Sequence, residues 1–288
     1  MPSASRKTVK PLLLFLFLSC GATLQADITI TRVANAGVIL SDGDARVMID
    51  GLVVEPYAVY GGLPDSAAAD FARASGDFSG IDLALVSHRH HEHNQPEFAC
   101  RFLQASPGTE LYSSEQVIGL VREFCRELTT ESGRVHRIEP PYGQPHVIVS
   151  EGIRVTVFPL SHGRHKYARI QNYGHLVEMG GLRVLHVGDA AMDPADFEQA
   201  GLADIDIDVA LIPWMFFQPG AGADLITRYM DAPLKIAVHV APGELDEVRA
   251  YMSEFHPRVI LLEQPLEQLR FSAPPRPPPD GEGPDPTE

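Results

Sequence analysis

The segment Ser87-His88-Arg89-His90-His91-Glu92-His93-Asn94 places four imidazoles and one carboxylate within six residues. Neutral imidazole and carboxylate are favoured donors for divalent transition metals. Imidazoles packed this densely beside a carboxylate point to metal ligation. A hydrolytic zinc site takes about three or four protein ligands per ion and leaves a position for water, so further ligands must come from elsewhere in the chain. Three candidates follow apolar runs: His162 in Leu160-Ser161-His162-Gly163, Asp189 in His186-Val187-Gly188-Asp189-Ala190, and His239 after Ile236-Ala237-Val238. Taken singly, these are a polar strand end, a turn and a core histidine. Their joint order carries the inference.

The elements that must position these side chains are legible as hydrophobic runs. Ile28 to Val33, Gly37 to Leu40 and Ala45 to Ile49 are strand-like, with Ser41-Asp42-Gly43-Asp44 as a turn. A Gly/Pro/Tyr-rich loop follows from Gly51 to Pro64, then a short helix from Ala67 to Ala74. Ile81 to Val86 is a continuous apolar run of strand length, and the histidine cluster sits at its C-terminal end. Asn94-Gln95-Pro96-Glu97 predicts a helix start with Asn94 as cap. A second helix is expected from Ser113-Ser114-Glu115-Gln116 to about Leu128. Strands follow at 135–138, 146–149, 153–158, 173–179 and 182–187, the last two forming a hairpin about Gly180-Gly181. Short buried strands at 208–212, 236–240 and 259–262 alternate with helices near 223–230 and 244–254. Strands dominate early and strand–helix alternation follows, which predicts an α/β fold with two sheets inside and helices outside, a four-layer αββα sandwich.

The pattern resembles the metallo-β-lactamase-fold hydrolase superfamily, which carries a His-x-His-x-Asp-His motif, then a lone His, a Gly-Asp pair and a final His. The matching residues are His88, His90, Glu92 and His93, then His162, Asp189 and His239, in order over residues 28 to about 262. The resemblance implies that His88, His90 and His162 hold one ion, that Glu92, His93 and His239 hold a second, and that Asp189 bridges them. Asp50, in Val47-Met48-Ile49-Asp50-Gly51, matches the superfamily's early Asp and would orient a ligand from behind. Asn172-Tyr173-Gly174 ahead of Gly180-Gly181 and Gly188-Asp189 is similar to the branch containing lactonases and N-acyl phospholipase D-like enzymes.

The family has Asp where this chain has Glu92, one methylene longer. Two readings follow: a binuclear site of adjusted geometry, or a mononuclear one. The resemblance implies two zinc ions, with one ion, or iron or manganese, as alternatives. It further implies metal-bound hydroxide attacking an ester, lactone, amide or phosphodiester, with Asp189 accepting a hydrogen bond from the nucleophile. The leaving-group acid is unassigned, with His165 and Tyr173 as candidates. Tyr57 and Tyr60 after Asp50, and Trp214 and Phe216 after Ile212-Pro213, are expected to wall a substrate pocket or to form a core aromatic cluster. His91 is expected to face solvent. His136, His146, His175 and His256 read as structural or surface residues, and His165 and His186 lie near the expected site.

The bulk numbers frame these expectations. A chain of 288 residues, 44% hydrophobic, forms one sizeable domain, read as 27–270. Its net charge of −15 disfavours a nucleic-acid partner and leaves a small molecule as the expected substrate. Residues 1–26 show a basic start, an apolar run from Leu12 to Leu18 and small residues ending at Ala26, the pattern of an export signal. Phe17-Leu18-Ser19-Cys20 also resembles a lipobox, so the expectation is either a soluble periplasmic or secreted protein or one anchored by lipid at Cys20. Cys100 and Cys125 are expected to be two buried thiols on helices, with pairing as the alternative in an oxidising compartment. Residues 271–288, rich in Pro and acidic side chains, read as a disordered tail. Two other functions compete with a hydrolase: an iron-dependent redox enzyme, and a non-catalytic metal-binding protein.

Overall fold

The computed structural model describes residues 27–163 and 165–272. The expected export signal, Cys20 within it, and the tail beyond Ser272 lie outside the described residues.

The first half runs β1 (Asp27–Arg32), β2 (Val38–Ser41), β3 (Arg46–Ile49), α1 (Asp65–Ala72), β4 (Leu83–Leu85), α2 (Pro96–Ala105), β5 (Glu110–Ser113), α3 (Glu115–Phe124), α4 (Arg126–Glu131) and β6 (Val135–Arg137). The second half runs β7 (His146–Ser150), β8 (Ile153–Ser161), β9 (Gln171–Met179), β10 (Leu182–His186), α5 (Pro194–Gln199), β11 (Val209–Pro213), α6 (Ala221–Tyr229), β12 (Leu234–Val238), α7 (Leu245–Phe255), β13 (Ile260–Leu261) and β14 (Gln268–Ser272). The strands form two seven-stranded mixed sheets, ordered β14-β1-β2-β3-β4-β5-β6 and β13-β12-β11-β10-β9-β8-β7.

Three apolar clusters make this a four-layer sandwich. Ile30, Leu40, Leu83, Val155, Val184 and Leu211, from both sheets, pack between them. Met48, Ala84, Phe71, Phe102 and Val121 join the first sheet to α1–α3, while Leu185, Ala210, Phe197, Leu225 and Val248 join the second to α5–α7. Strands buried on both faces explain the continuous apolar runs: every residue of β11 is buried, paired in parallel with β10 and β12. The expected hairpin forms between β9 and β10, and Gly180 and Gly181 both take positive φ, as a two-residue turn of this type requires.

β3, β4, β5 and β6 run parallel in one sheet, and β10, β11, β12 and β13 in the other. Loops leaving the C-terminal ends of parallel strands are where α/β folds gather ligand-binding groups. Asp50 follows β3, the histidine cluster follows β4, His162 follows β8, Asp189 follows β10 and His239 follows β12.

Several local expectations are corrected. Gln95, not Asn94, is the residue preceding α2, and its side chain does not cap the helix. Gln95 Oε1 instead accepts from the Val54 and Glu55 amides at 2.7 and 2.8 Å, tying the loop after β3 to the histidine segment. The helix expected to reach Leu128 breaks at Cys125, and α4 follows. Cys100 and Cys125 are not free thiols. α2 and the end of α3 bring them together as a disulfide. The last strand reaches Ser272, two residues into the segment assigned to the tail. It pairs with β1, and Leu269 and Phe271 pack against the core between the sheets.

Candidate metal centre

The site begins with a buried carboxylate. Asp50, at φ 49°, accepts from the Ser87 amide and hydroxyl, both at 2.6 Å, and lies 2.8 Å from His93 Nδ1. A carboxylate only accepts, so the proton on this His93 contact belongs to Nδ1. Ser87 gives its one hydroxyl proton to Asp50, so His88 Nδ1–H donates to Ser87 Oγ at 3.0 Å. Both rings are thereby fixed in the tautomer that leaves Nε2 with a lone pair. Both Nε2 atoms are buried without a hydrogen-bond partner among the described residues.

These nitrogens converge on Asp189. His93 Nε2 lies 3.3 Å from Asp189 Oδ1, and His88 Nε2, His162 Nε2 and His239 Nε2 lie 3.7, 3.7 and 3.3 Å from Oδ2. His162 Nε2 is also 3.2 Å from His90 Nδ1, which is 3.9 Å from Glu92 Oε1. Two groups result: His88, His90, His162 and Asp189, and Glu92, His93, Asp189 and His239. Within each, the ligand atoms lie within 4.8 Å of one another, and Asp189 belongs to both. These are the seven residues that the resemblance put forward, in the same division. His91 stands outside both groups and stacks on Tyr57, with ring centroids 4.8 Å apart.

Orphaned donor atoms test whether the residues fit metal ions. His88 Nε2, His93 Nε2, His239 Nε2 and Asp189 Oδ1 are buried without hydrogen bonds, and they face one small volume. Leaving one such buried group unpaired costs about 1–3 kcal/mol. Four around a single point fit cations and not an ordinary polar core. The charge balance agrees. Burial holds the His88, His90 and His162 pKa values below the usual imidazole range, so these rings are neutral donors. Burial opposes the charges of Asp189 and His93 as well. The surrounding His93 and His239 nonetheless hold the Asp189 carboxyl well below its ordinary value, and the flanking Asp189 and Asp50 raise the His93 pKa well above its own; a cation taken up at His93 Nε2 would replace that proton.

Supporting residues were not foreseen from the sequence. Asn172 Oδ1 accepts from the Asp189 amide at 3.0 Å, and its Nδ2 donates to Val187 O at 3.2 Å, bracing the Asp189 turn. Gly188 precedes Asp189 at φ 58°, where a Cβ would stand 2.4 Å from Asn172 Oδ1 and 2.7 Å from Ser87 Cβ. Only glycine fits there. His186 Nε2–H donates to Ala36 O at 3.0 Å while Nδ1 accepts from the Gly188 amide at 3.1 Å, so it holds the same turn from below. The Asn172 and Gly188 motifs were visible, but asparagine and glycine occupy turns too often for type alone to assign these roles.

The expected pocket residues divide. Tyr57 and Tyr60 stand at the site: both line the pocket with Glu92, and Tyr60 packs edge-on to His239 with centroids 5.4 Å apart. Phe216 does not. It is 1% exposed and packs in the cluster beneath α5–α7, with Phe197 beside it. Trp214 is half-buried against that cluster and is absent from the pocket beside the histidines. Tyr173 is buried and donates to Ile138 O at 3.1 Å, so it is unsuited to protonating a leaving group. His165 is exposed on a short 3-10 turn.

Two mixed sheets flanked by helices, with a histidine–carboxylate cluster at the strand ends, define the metallo-β-lactamase fold. The chain belongs to this superfamily of metal-dependent hydrolases: residues 62–255 match the Beta-lactamase superfamily domain. No curated protein matches the chain. Among solved structures, Igni18, a metallo hydrolase from the hyperthermophilic archaeon Ignicoccus hospitalis, is similar at 17% identity and TM-score 0.56, covering 85% of this chain and 98% of that one. An isothiocyanate hydrolase from Delia radicum gut bacteria is similar at 13% identity and TM-score 0.56, covering 85% and 100%. CmlA, a diiron beta-hydroxylase from Streptomyces venezuelae, is similar at 13% identity and TM-score 0.52, covering 87% and 55%. These likenesses establish a shared fold.

Proposed function

We propose that this chain is a zinc-dependent hydrolase of a small ester, lactone, amide or phosphodiester, working with two ions. The carrying observation is Asp189, shared by two complete ligand groups in which His88 Nε2, His93 Nε2 and His239 Nε2 are buried without a hydrogen bond among the described residues. His88, His90 and His162 would hold one ion and Glu92, His93 and His239 the other, with Asp189 common to both. Divalent cations bound there supply Lewis acidity and lower the pKa of a water to near 7.

The chain's own residues do the rest. Asp50 and Ser87 hold His93 and His88 in the ligating tautomer. Tyr60 remains a protonated donor at the mouth of the site, because burial, Glu92 and Asp189 all raise its pKa. Its hydroxyl lies in the same pocket as Glu92 and can restrain the longer carboxylate that replaces the family's Asp. The Cys100–Cys125 disulfide supports the export expectation, since such bonds persist in oxidising compartments.

Elemental analysis of protein purified without chelator, followed by assay on ester, lactone, amide and phosphodiester panels, tests this reading. Two zinc ions per chain and chelator-sensitive hydrolysis are the expected result. One iron per chain with dioxygen consumption would overturn it in favour of a redox enzyme. Bound metal with no turnover on any panel would overturn it in favour of a binding protein.

A further inference from the structure

Arg89, like His91, is a residue of the histidine segment that neither ligand group contains. It lies between His88 and His90, yet its side chain is exposed, and among the described residues it has no hydrogen bond or ion pair. It lines an open pocket of about 590 Å³ that reaches His90 and Glu92 of the metal centre. Its lining combines polar groups with apolar side chains left in water: Tyr57 and Val59 are 61% and 62% exposed, and Leu120 and Tyr167 line the same pocket. Large apolar side chains left in water beside a catalytic cluster mark a ligand surface. Tyr167 stacks on His162, centroids 5.1 Å apart, and the Lys166 ammonium lies 4.7 Å from the centre of its ring.

The charge pattern is selective. The chain carries −15, yet Glu92 is the single acidic residue among those lining the pocket, and it belongs to a ligand group. That leaves Arg89 uncompensated at the wall, with Lys166 adjoining Tyr167. A planar guanidinium with five donors and no partner is suited to bidentate capture of a carboxylate or phosphate.

Resting on the hydrolase reading above, the geometry points to a substrate class. The substrate carries a terminal oxyanion group that Arg89 binds, joined by an apolar or aromatic arm to the bond cleaved at the metal centre. The arm lies against Tyr57, Val59 and Tyr167. Arg89 is thus a specificity-determining residue for recognition and takes no part in the bond cleavage.

The test uses the metal-loaded full chain and two esters that differ in one group, mono-p-nitrophenyl glutarate and p-nitrophenyl valerate. The ratio of kcat/KM for the anionic over the neutral ester is expected to exceed about tenfold, given the usual strength of a charge-assisted hydrogen bond. In Arg89→Gln that ratio falls about tenfold or more, mainly through KM, in Arg89→Glu it inverts, and Arg89→Lys restores part of it. Equal ratios in wild type and Arg89→Gln would overturn the proposal. If neither ester is cleaved, the hydrolase reading is in question, and calorimetric binding of 4-phenylbutyrate still decides the anion site. A carboxylate held by Arg89 binds Arg89→Gln about tenfold more weakly, whereas one bound elsewhere shows the same Kd in both proteins and refutes the assignment.

Discussion

Asp50 and His93 stand 2.8 Å apart, carboxylate oxygen to Nδ1, and neither side chain is reached by solvent. Asp50 therefore determines which His93 nitrogen can face Asp189, although no ligand group contains Asp50 itself. Replacing such a partner of a ligating imidazole typically costs 10- to 100-fold in metal affinity. Asp50→Asn is expected to lose about that much at the second ion, measured by competition with a chromophoric chelator. Unchanged affinity would show that His93 needs no orientation from behind.

Tyr60 and Glu92 give a second, independent expectation. Tyr60 shares its pocket with the Glu92 carboxylate, which is one methylene longer than the family's. If the Tyr60 hydroxyl restrains this carboxylate once an ion is held, Tyr60→Phe removes a contact worth about 0.5–1.5 kcal/mol, as for an ordinary hydrogen bond. Occupancy of the second ion at limiting zinc should fall roughly 2- to 10-fold, while the first ion is retained. The double variant Tyr60→Phe/Glu92→Asp should recover second-ion binding, because the shorter carboxylate needs no such hold.

The disulfide joins residues 25 apart in sequence. Closing a loop of that length in the unfolded chain stabilises the fold by about 3 kcal/mol. Cys100→Ala/Cys125→Ala should lower the urea midpoint accordingly, with a slope equal to or steeper than that of the bridged protein, because the unbridged unfolded chain is less compact. An identical midpoint would mean that the bridge adds nothing beyond the packing of α2 on α3.

His175 predicts an acid limit. It is fully buried on β9, neither ring nitrogen has a partner among the described residues, and burial pushes its pKa down to about 3. An unfolded chain takes up this proton near pH 6.5, whereas the folded chain takes it up only near 3. Between those values the unfolded state binds more protons, so stability falls as pH falls, by about 1.4 kcal/mol per unit. His175→Leu should flatten the stability profile between about pH 6.5 and 3. An unaltered slope across that window would refute this account.

The expected ligands were legible because they follow strand runs buried on both faces, and such runs announce where the chain must surface. Val209–Pro213 and Leu234–Val238 show the same signal, and the four-layer arrangement follows from it. What stayed illegible depends on direction, which residue type does not encode. Phe216 and Tyr60 are both aromatics after a strand, yet one turns into the helix-facing core and the other towards His239. Ser87 and Asn172 act only through the three-dimensional placement of Asp50 and Asp189. Two cysteines 25 residues apart carry no geometry until α2 and α3 pack together. The alternation in Gln268–Ser272 was masked by the proline-rich composition that follows it.

The division of ligands between the two sheets has a mechanical consequence. His88, His90, Glu92 and His93 leave the first sheet, whereas His162, Asp189 and His239 leave the second, and each group draws on both. An ion in either group would be a clasp across the seam of the sandwich, closing one end of a core held mainly by apolar contact, with a few hydrogen bonds such as His186 to Ala36 O and Tyr173 to Ile138 O. Its binding free energy adds to the cohesion of the halves, by about 2.7 kcal/mol at a hundredfold excess of free metal over Kd. The melting temperature should therefore climb with free zinc and drop on chelation. A protein that loses its ions would open first along this seam.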